Sequence, residues 1–155
     1  MIPTGEGAFR PPINPAMALQ KPLEDYIQFL EKMSSRSLPL LHKLATPGMF
    51  FRDPLHEVRG VDEVIMIYEK RLAAVSVPRF KVKDFCWGRE HPVAYLCWSY
   101  TGQRQGVDFI DQGISEVMFS HDGYIMAQTD YLGYQARPEA TPGFCQRFLQ
   151  KIRRV

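Results

Sequence analysis

The chain has little of most things that announce a function. Its 155 residues hold only three cysteines, Cys86, Cys97 and Cys145, an odd number with no CxxC spacing. That usage reads as free thiols in a reducing compartment, with a Cys86–Cys97 bridge between neighbouring strands as the alternative. The four histidines, His42, His56, His91 and His121, are scattered, and no HxH or HExxH pair offers metal-ligand spacing. There is no phosphate loop and no dinucleotide fingerprint. The net charge of +2 supplies no electrostatic reason to bind nucleic acid. No run approaches the ~20 apolar residues that span a bilayer. The opening MIPTGEGAFRPPINPAM lacks the apolar core of a secretory signal. Together these absences predict a cytoplasmic protein with neither a nucleic-acid nor a membrane partner. The basic end RFLQKIRRV reads as the solvated face of a helix rather than as a membrane contact.

What remains is an ordinary globular composition, 45% hydrophobic and 23% charged, in a length suited to one domain. Residues 1–21 carry Pro3, Pro11, Pro12 and Pro15 and predict an extended arm, loose or laid along a partner subunit. The first helix is predicted over Pro22–Ser34, with Leu23, Tyr26, Ile27, Leu30 and Met33 on one face. A second, short helix follows over Leu38–Ala45, capped by Ser37 and stopped by Thr46-Pro47-Gly48. Met49–Arg52 reads as a short strand and Val61–Val75 as a third helix, with Val64, Ile65, Tyr68, Leu72 and Val75 inward. Beyond Pro78 the period changes to two. Arg79–Gly88, Pro92–Thr101, Val107–Ser120 and Tyr124–Tyr134 read as strands, with a tight turn at His121-Asp122-Gly123. An amphipathic helix is predicted over residues 137–155.

This order predicts an α+β fold over residues 22–136: a curved antiparallel sheet wrapped over the N-terminal helices as a cone. The interior of such a cone is a natural hydrophobic pocket for a small molecule.

The FRDPLHEVRG loop, the YLCWSYT strand, the GISEVMFSHDG hairpin and the TDYLGY strand, in that order and spacing, resemble the nuclear-transport-factor-2-like superfamily. Its SnoaL-like and ketosteroid-isomerase-like branches are the nearest in pattern. The resemblance spans Pro22 to Tyr134. It implies a cone-shaped, cystatin-like α+β barrel, commonly a homodimer joined through the outer sheet face, where Glu116, Met118, Leu96 or Cys97 are candidates. Function is less defined, because the superfamily holds isomerases, hydrolases, cyclases and non-catalytic binders. In ketosteroid isomerases the general base lies in an Asp-Pro step, which Asp53 matches. Their oxyanion hole pairs a first-helix tyrosine, here Tyr26, with a protonated aspartic acid; that position holds Ser115. Limonene epoxide hydrolases use an Arg and an Asp two apart, positions that fall on Trp98 and Tyr100, and a further Asp that Asp130 matches. SnoaL-like cyclases also act through an acidic residue, for which Asp130 is the candidate.

The residues themselves support candidates of both kinds. Asp53 follows Phe51 on one side of its strand, where apolar walls would raise its pKa and make it a better base. It can equally be a turn residue bonded to backbone N–H groups or paired with Arg52 or Arg59. Asp130 alternates with Tyr124, Met126 and Gln128, which predicts these on one inward face. Two carboxylates in one cavity can divide acid and base roles; a buried Asp bonded to a tyrosine is the alternative. Catalytic candidates are therefore Asp53, Asp130 and Tyr26. Candidates for lining the pocket are Phe51, His56, Tyr68, Trp98, Tyr100, Ser115, Met126 and Gln128, with core packing as the alternative for the aromatics and a solvated loop for His56. The chemistry expected is proton transfer on an apolar steroid-, terpene- or polyketide-like molecule. Side chains suffice for it, so neither cofactor nor metal is expected. A non-catalytic ligand-binding or interaction domain is the alternative.

Overall fold

The computed structural model describes residues 15–89 and 92–133. The elements are α1 (Pro15–Glu31), a single 3₁₀ turn (Leu38–Leu40), α2 (Leu41–Leu44), β1 (Ala45–Arg52), β2 (Glu57–Arg59), α3 (Val61–Ala73), β3 (Ser76–Trp87), β4 (Val93–Arg104), β5 (Val107–Phe119) and β6 (Ile125–Leu132). The six strands form one sheet in the order β2-β1-β6-β5-β4-β3. The sheet is curved, and α1 and α3 pack against it around one buried core.

α1 starts at Pro15, earlier than the expected Pro22, so residues 15–21 are helical rather than an extended arm. Pro22 sits inside the helix, where its missing N–H and its ring disfavour helix by roughly 3 kcal/mol. The compensating burial is visible: Leu19, Leu23, Tyr26 and Leu30 form a single inward stripe, each at most 5% exposed. The earlier part of the arm and the helix expected over 137–155 lie outside the described residues. The short second helix divides into the 3₁₀ turn and α2. Ser37 makes no side-chain cap there; its Oγ accepts instead from the Ser34 N–H at 2.8 Å.

The sheet is mixed rather than wholly antiparallel. β1 pairs parallel to β6, with Phe51 opposite Gln128, and antiparallel to β2. β3, β4, β5 and β6 form the expected meander. Gly123, at φ +87°, closes the β5–β6 turn in a conformation that a side chain disfavours. A register shift between Met118 and Phe119 breaks the alternation along β6. Ile125 points inward, Met126 outward at 45% exposure, and Gln128 and Asp130 inward again.

One core cluster joins α1 and α3 to the sheet. Tyr26 and Tyr68 meet Phe51, Leu96, Val117 and Phe119, all less than 2% exposed. Leu96 therefore belongs to the interior, not to the outer sheet face. Cys97 is disulfide-bonded, which corrects the expectation of a free thiol there. No helix among the described residues is long and apolar enough to cross a membrane.

Candidate active site

β1 ends in Arg52, and the chain turns at once through Asp53-Pro54. Asp53 Oδ1 accepts the N–H groups of Leu55 (2.7 Å) and His56 (2.6 Å), an Asx turn that fixes the loop leading to β2. His56 Nδ1 folds back to within 3.1 Å of both carboxylate oxygens of Asp53. Oδ2 also accepts from Arg71 Nη2. Asp53 is thus surrounded by donors.

Arg71 comes from the last turn of α3, one helical turn beyond Tyr68. Its guanidinium lies over the Phe51 and Tyr68 rings, 5.3 and 5.7 Å from their centroids. Its second terminal nitrogen, Nη1, reaches Asp130 Oδ2 at 3.4 Å. Asp130 itself is buried on β6. Its Oδ1 accepts from Ser115 Oγ at 2.7 Å and from Gln128 Nε2 at 2.6 Å. Ser115 stands directly across the strand pair from Asp130, and its Oγ accepts from Trp98 Nε1 at 2.9 Å. Room for that indole comes from Gly113, where a Cβ would stand 2.5 Å from the Trp98 ring.

The two carboxyl groups differ in environment. Burial pushes Asp53 up, but His56, the Leu55 N–H and Arg71 outweigh it and hold the group below its ordinary value. Burial pushes Asp130 up and wins over Arg71, Ser115 and Gln128, so its pKa is raised. The expectation that apolar walls would raise Asp53 is therefore corrected: its donors prevail. Tyr26 and Tyr68 are both raised, chiefly by burial, and stay protonated. Arg71 is raised despite burial, mainly by the negative charge of Asp130.

These groups border a cavity of about 250 Å³. Leu30, Met33, Leu72, Val75 and Phe80 supply apolar wall. Of the residues expected to line it, His56, Tyr68, Trp98, Tyr100 and Gln128 do so, together with Asp53 and Asp130. Tyr26, Phe51 and Ser115 do not border it. Tyr26 lies behind Gln128 and donates to its Oε1, Phe51 lies beneath Arg71, and Ser115 lies behind Asp130. Met126 is turned away by the break in β6 alternation. Sequence reasoning missed Arg71, although a signal existed: Val64, Tyr68, Arg71 and Val75 follow one helical stripe, which places a cation on an inward face. It also missed Arg104 and Asp111, paired at 2.8 Å on the cavity wall. Among the described residues no cluster of side chains has the makings of a metal site.

Known structures with this architecture are numerous. An NTF2-like protein of unknown function from Exiguobacterium sp. 255-15 superposes with a TM-score of 0.64 at 15% identity, over 72% of this chain and 98% of that one. The fold is nuclear-transport-factor-2-like. A protein assigned as a SnoaL-like polyketide cyclase from Jannaschia sp. CCS1 gives 0.63 at 12% identity, over 81% and 91% of the two chains. A protein of ketosteroid-isomerase-like fold from Catenulispora acidiphila DSM 44928, in complex with trimethylamine, gives 0.59 at 10% identity, over 72% and 84%. No family model matches the sequence, and no curated protein matches it. At such identities the likeness establishes the NTF2-like α+β fold and leaves the chemistry to the site.

Proposed function

We propose that the protein is an acid–base enzyme of the isomerase, cyclase or hydrolase kind, acting on a small, largely apolar molecule in the cone cavity. The observation that carries this reading is the pair of carboxyl groups on either side of Arg71 at the cavity wall. One is held ionised and anchors the His56 imidazole, and the other has a raised pKa, so a base beside the first carboxyl and an acid at the second face one cavity. In this reading Asp130 is the acid. Asp53 is saturated by its donors, so the base is His56: Asp53 holds Nδ1 and leaves Nε2 for the substrate. While Asp130 carries its proton, Asp53 and Arg71 cancel in charge, which favours an uncharged substrate. The cavity falls below the roughly 300–1,000 Å³ of drug-sized sites, which favours a compact ring system over a steroid. The chemistry requires no cofactor.

A second reading, a non-catalytic binding domain, is favoured by one observation: the donors on Asp53 also satisfy it as a purely structural turn residue. A thermal-shift screen against cyclic enones, terpene epoxides and aromatic polyketides separates the two when each hit is followed by chromatography for product. A ligand at 100 times its dissociation constant stabilises by about 2.7 kcal/mol. A hit that is converted supports the enzyme. Hits bound and recovered unchanged at every pH tried support the binding domain.

A further inference from the structure

Two hydrogen-bonded arms converge on one oxygen of Asp130. In the first, Trp98 Nε1, which can only donate, gives its proton to Ser115 Oγ at 2.9 Å. That contact occupies a lone pair of Ser115 and turns the serine O–H toward Asp130 Oδ1, 2.7 Å away. In the second, the Tyr26 hydroxyl donates to Gln128 Oε1. A carboxamide with its oxygen so engaged presents its NH₂ on the other side, and Gln128 Nε2 donates to the same Oδ1 at 2.6 Å. Oδ1 thereby has both in-plane lone pairs filled by donors. A proton placed on Oδ1 would point at one of them. Oδ2 has only the long 3.4 Å approach of Arg71 Nη1 among the described residues.

We propose that Tyr26 and Trp98 are positioning residues that confine the acidic proton of Asp130 to Oδ2, the oxygen turned toward Arg71. Tyr26 is fully buried and does not border the cavity, so it acts through Gln128. Trp98 acts through Ser115. The arms make Asp130 a one-sided acid: Oδ1 is its carbonyl oxygen and Oδ2–H its donor. The titratable groups facing Asp130 are Arg71 and Tyr68 from α3 and Tyr26 from α1, with Asp53 beyond the guanidinium. The inference rests on the acid role given to Asp130 above, but its test requires no substrate.

The test is infrared difference spectroscopy of the whole protein, with the spectrum of Asp130→Asn subtracted to isolate the Asp130 carboxyl C=O stretch. A carbonyl that accepts two hydrogen bonds absorbs low. In Tyr26→Phe and in Trp98→Phe the stretch is expected to move to higher wavenumber. The pH at which it disappears is expected to rise, because donors to Oδ1 stabilise the ionised form. Val93→Ala, a buried change outside the core cluster that holds Tyr26 and Trp98, is expected to leave both readouts in place. If either aromatic variant fails to fold, Ser115→Ala and Gln128→Met remove the arms themselves and predict the same upward shifts. A band unmoved in the folded arm variants would place the proton on Oδ1 or show the arms to be packing alone, and the inference would fall. Loss of the enzyme reading shows elsewhere, as ligands bound but never converted.

Discussion

Asp53 and Asp130 bind different terminal nitrogens of the same guanidinium, Nη2 and Nη1 of Arg71. One carboxyl follows directly on the first strand and the other lies on the last, and the parallel pairing of β1 with β6 brings them to one wall. Removing the guanidinium leaves both without their cation. Loss of one partner from a buried ion pair costs about 3–5 kcal/mol. Arg71 is 36% exposed, so solvent screening reduces the expected cost of Arg71→Leu to about 2 kcal/mol. Urea unfolding measures it. Adding Asp53→Asn to Arg71→Leu is expected to recover part of the loss, and strict additivity of the two changes would argue against the shared pairing.

The two carboxyls make stability depend on pH in opposite senses. Asp53 has a lowered folded pKa, so its contribution is present above the unfolded carboxyl value and is lost as pH falls through the folded one. Asp130 has a raised folded pKa, so its contribution is fullest below the unfolded value and is lost as pH rises through the folded one. Urea midpoints across a pH series are expected to show Asp130→Asn flattening the decline on the rising side. Asp53→Asn should flatten the decline at acid pH. A wild-type decline on the rising side that persists in Asp130→Asn would assign it to another group.

His56→Gln preserves a hydrogen bond to Asp53 but cannot take a proton. If His56 is the base, turnover of a converted ligand should fall by about 10²–10⁴-fold with affinity kept. Steady-state kinetics beside calorimetric binding reads both. A loss of affinity with unchanged turnover would make His56 a lining residue only.

Gly113→Ala tests the seat of the Trp98 indole. The new Cβ would lie 2.5 Å from both the Trp98 ring and the Tyr131 carbonyl oxygen. Overpacking of this kind costs about 1–3 kcal/mol, and the indole should leave Ser115. Trp98 fluorescence and thermal unfolding check the two effects, and an unchanged emission spectrum would contradict the displacement.

Much of the fold was legible because periodicity reports burial directly. The β3–β6 meander and α3 are such cases, with strands at period two and a helix at period 3.6. The start of α1 was not, because Pro22 carries a local stop signal that the burial of Leu19 and Leu23 overrides. Strand β2 has three residues, too few to show a period, and the parallel β1–β6 pairing is a long-range choice with no local signature. In the site, Asp53 and Asp130 were legible from turn chemistry and alternation. Met126 was misplaced because a register break is invisible in an alternating string. Arg71 was missed because a cation in the last turn of a helix also reads as a complement to the helix dipole.

The central claim is that Asp130 delivers a proton to a molecule held in this cavity. Its most direct test is the turnover of the best-stabilising converted ligand by Asp130→Asn beside the wild type. The account predicts a fall of about 10²–10⁴-fold, with binding retained. Equal turnover by the two proteins would contradict it.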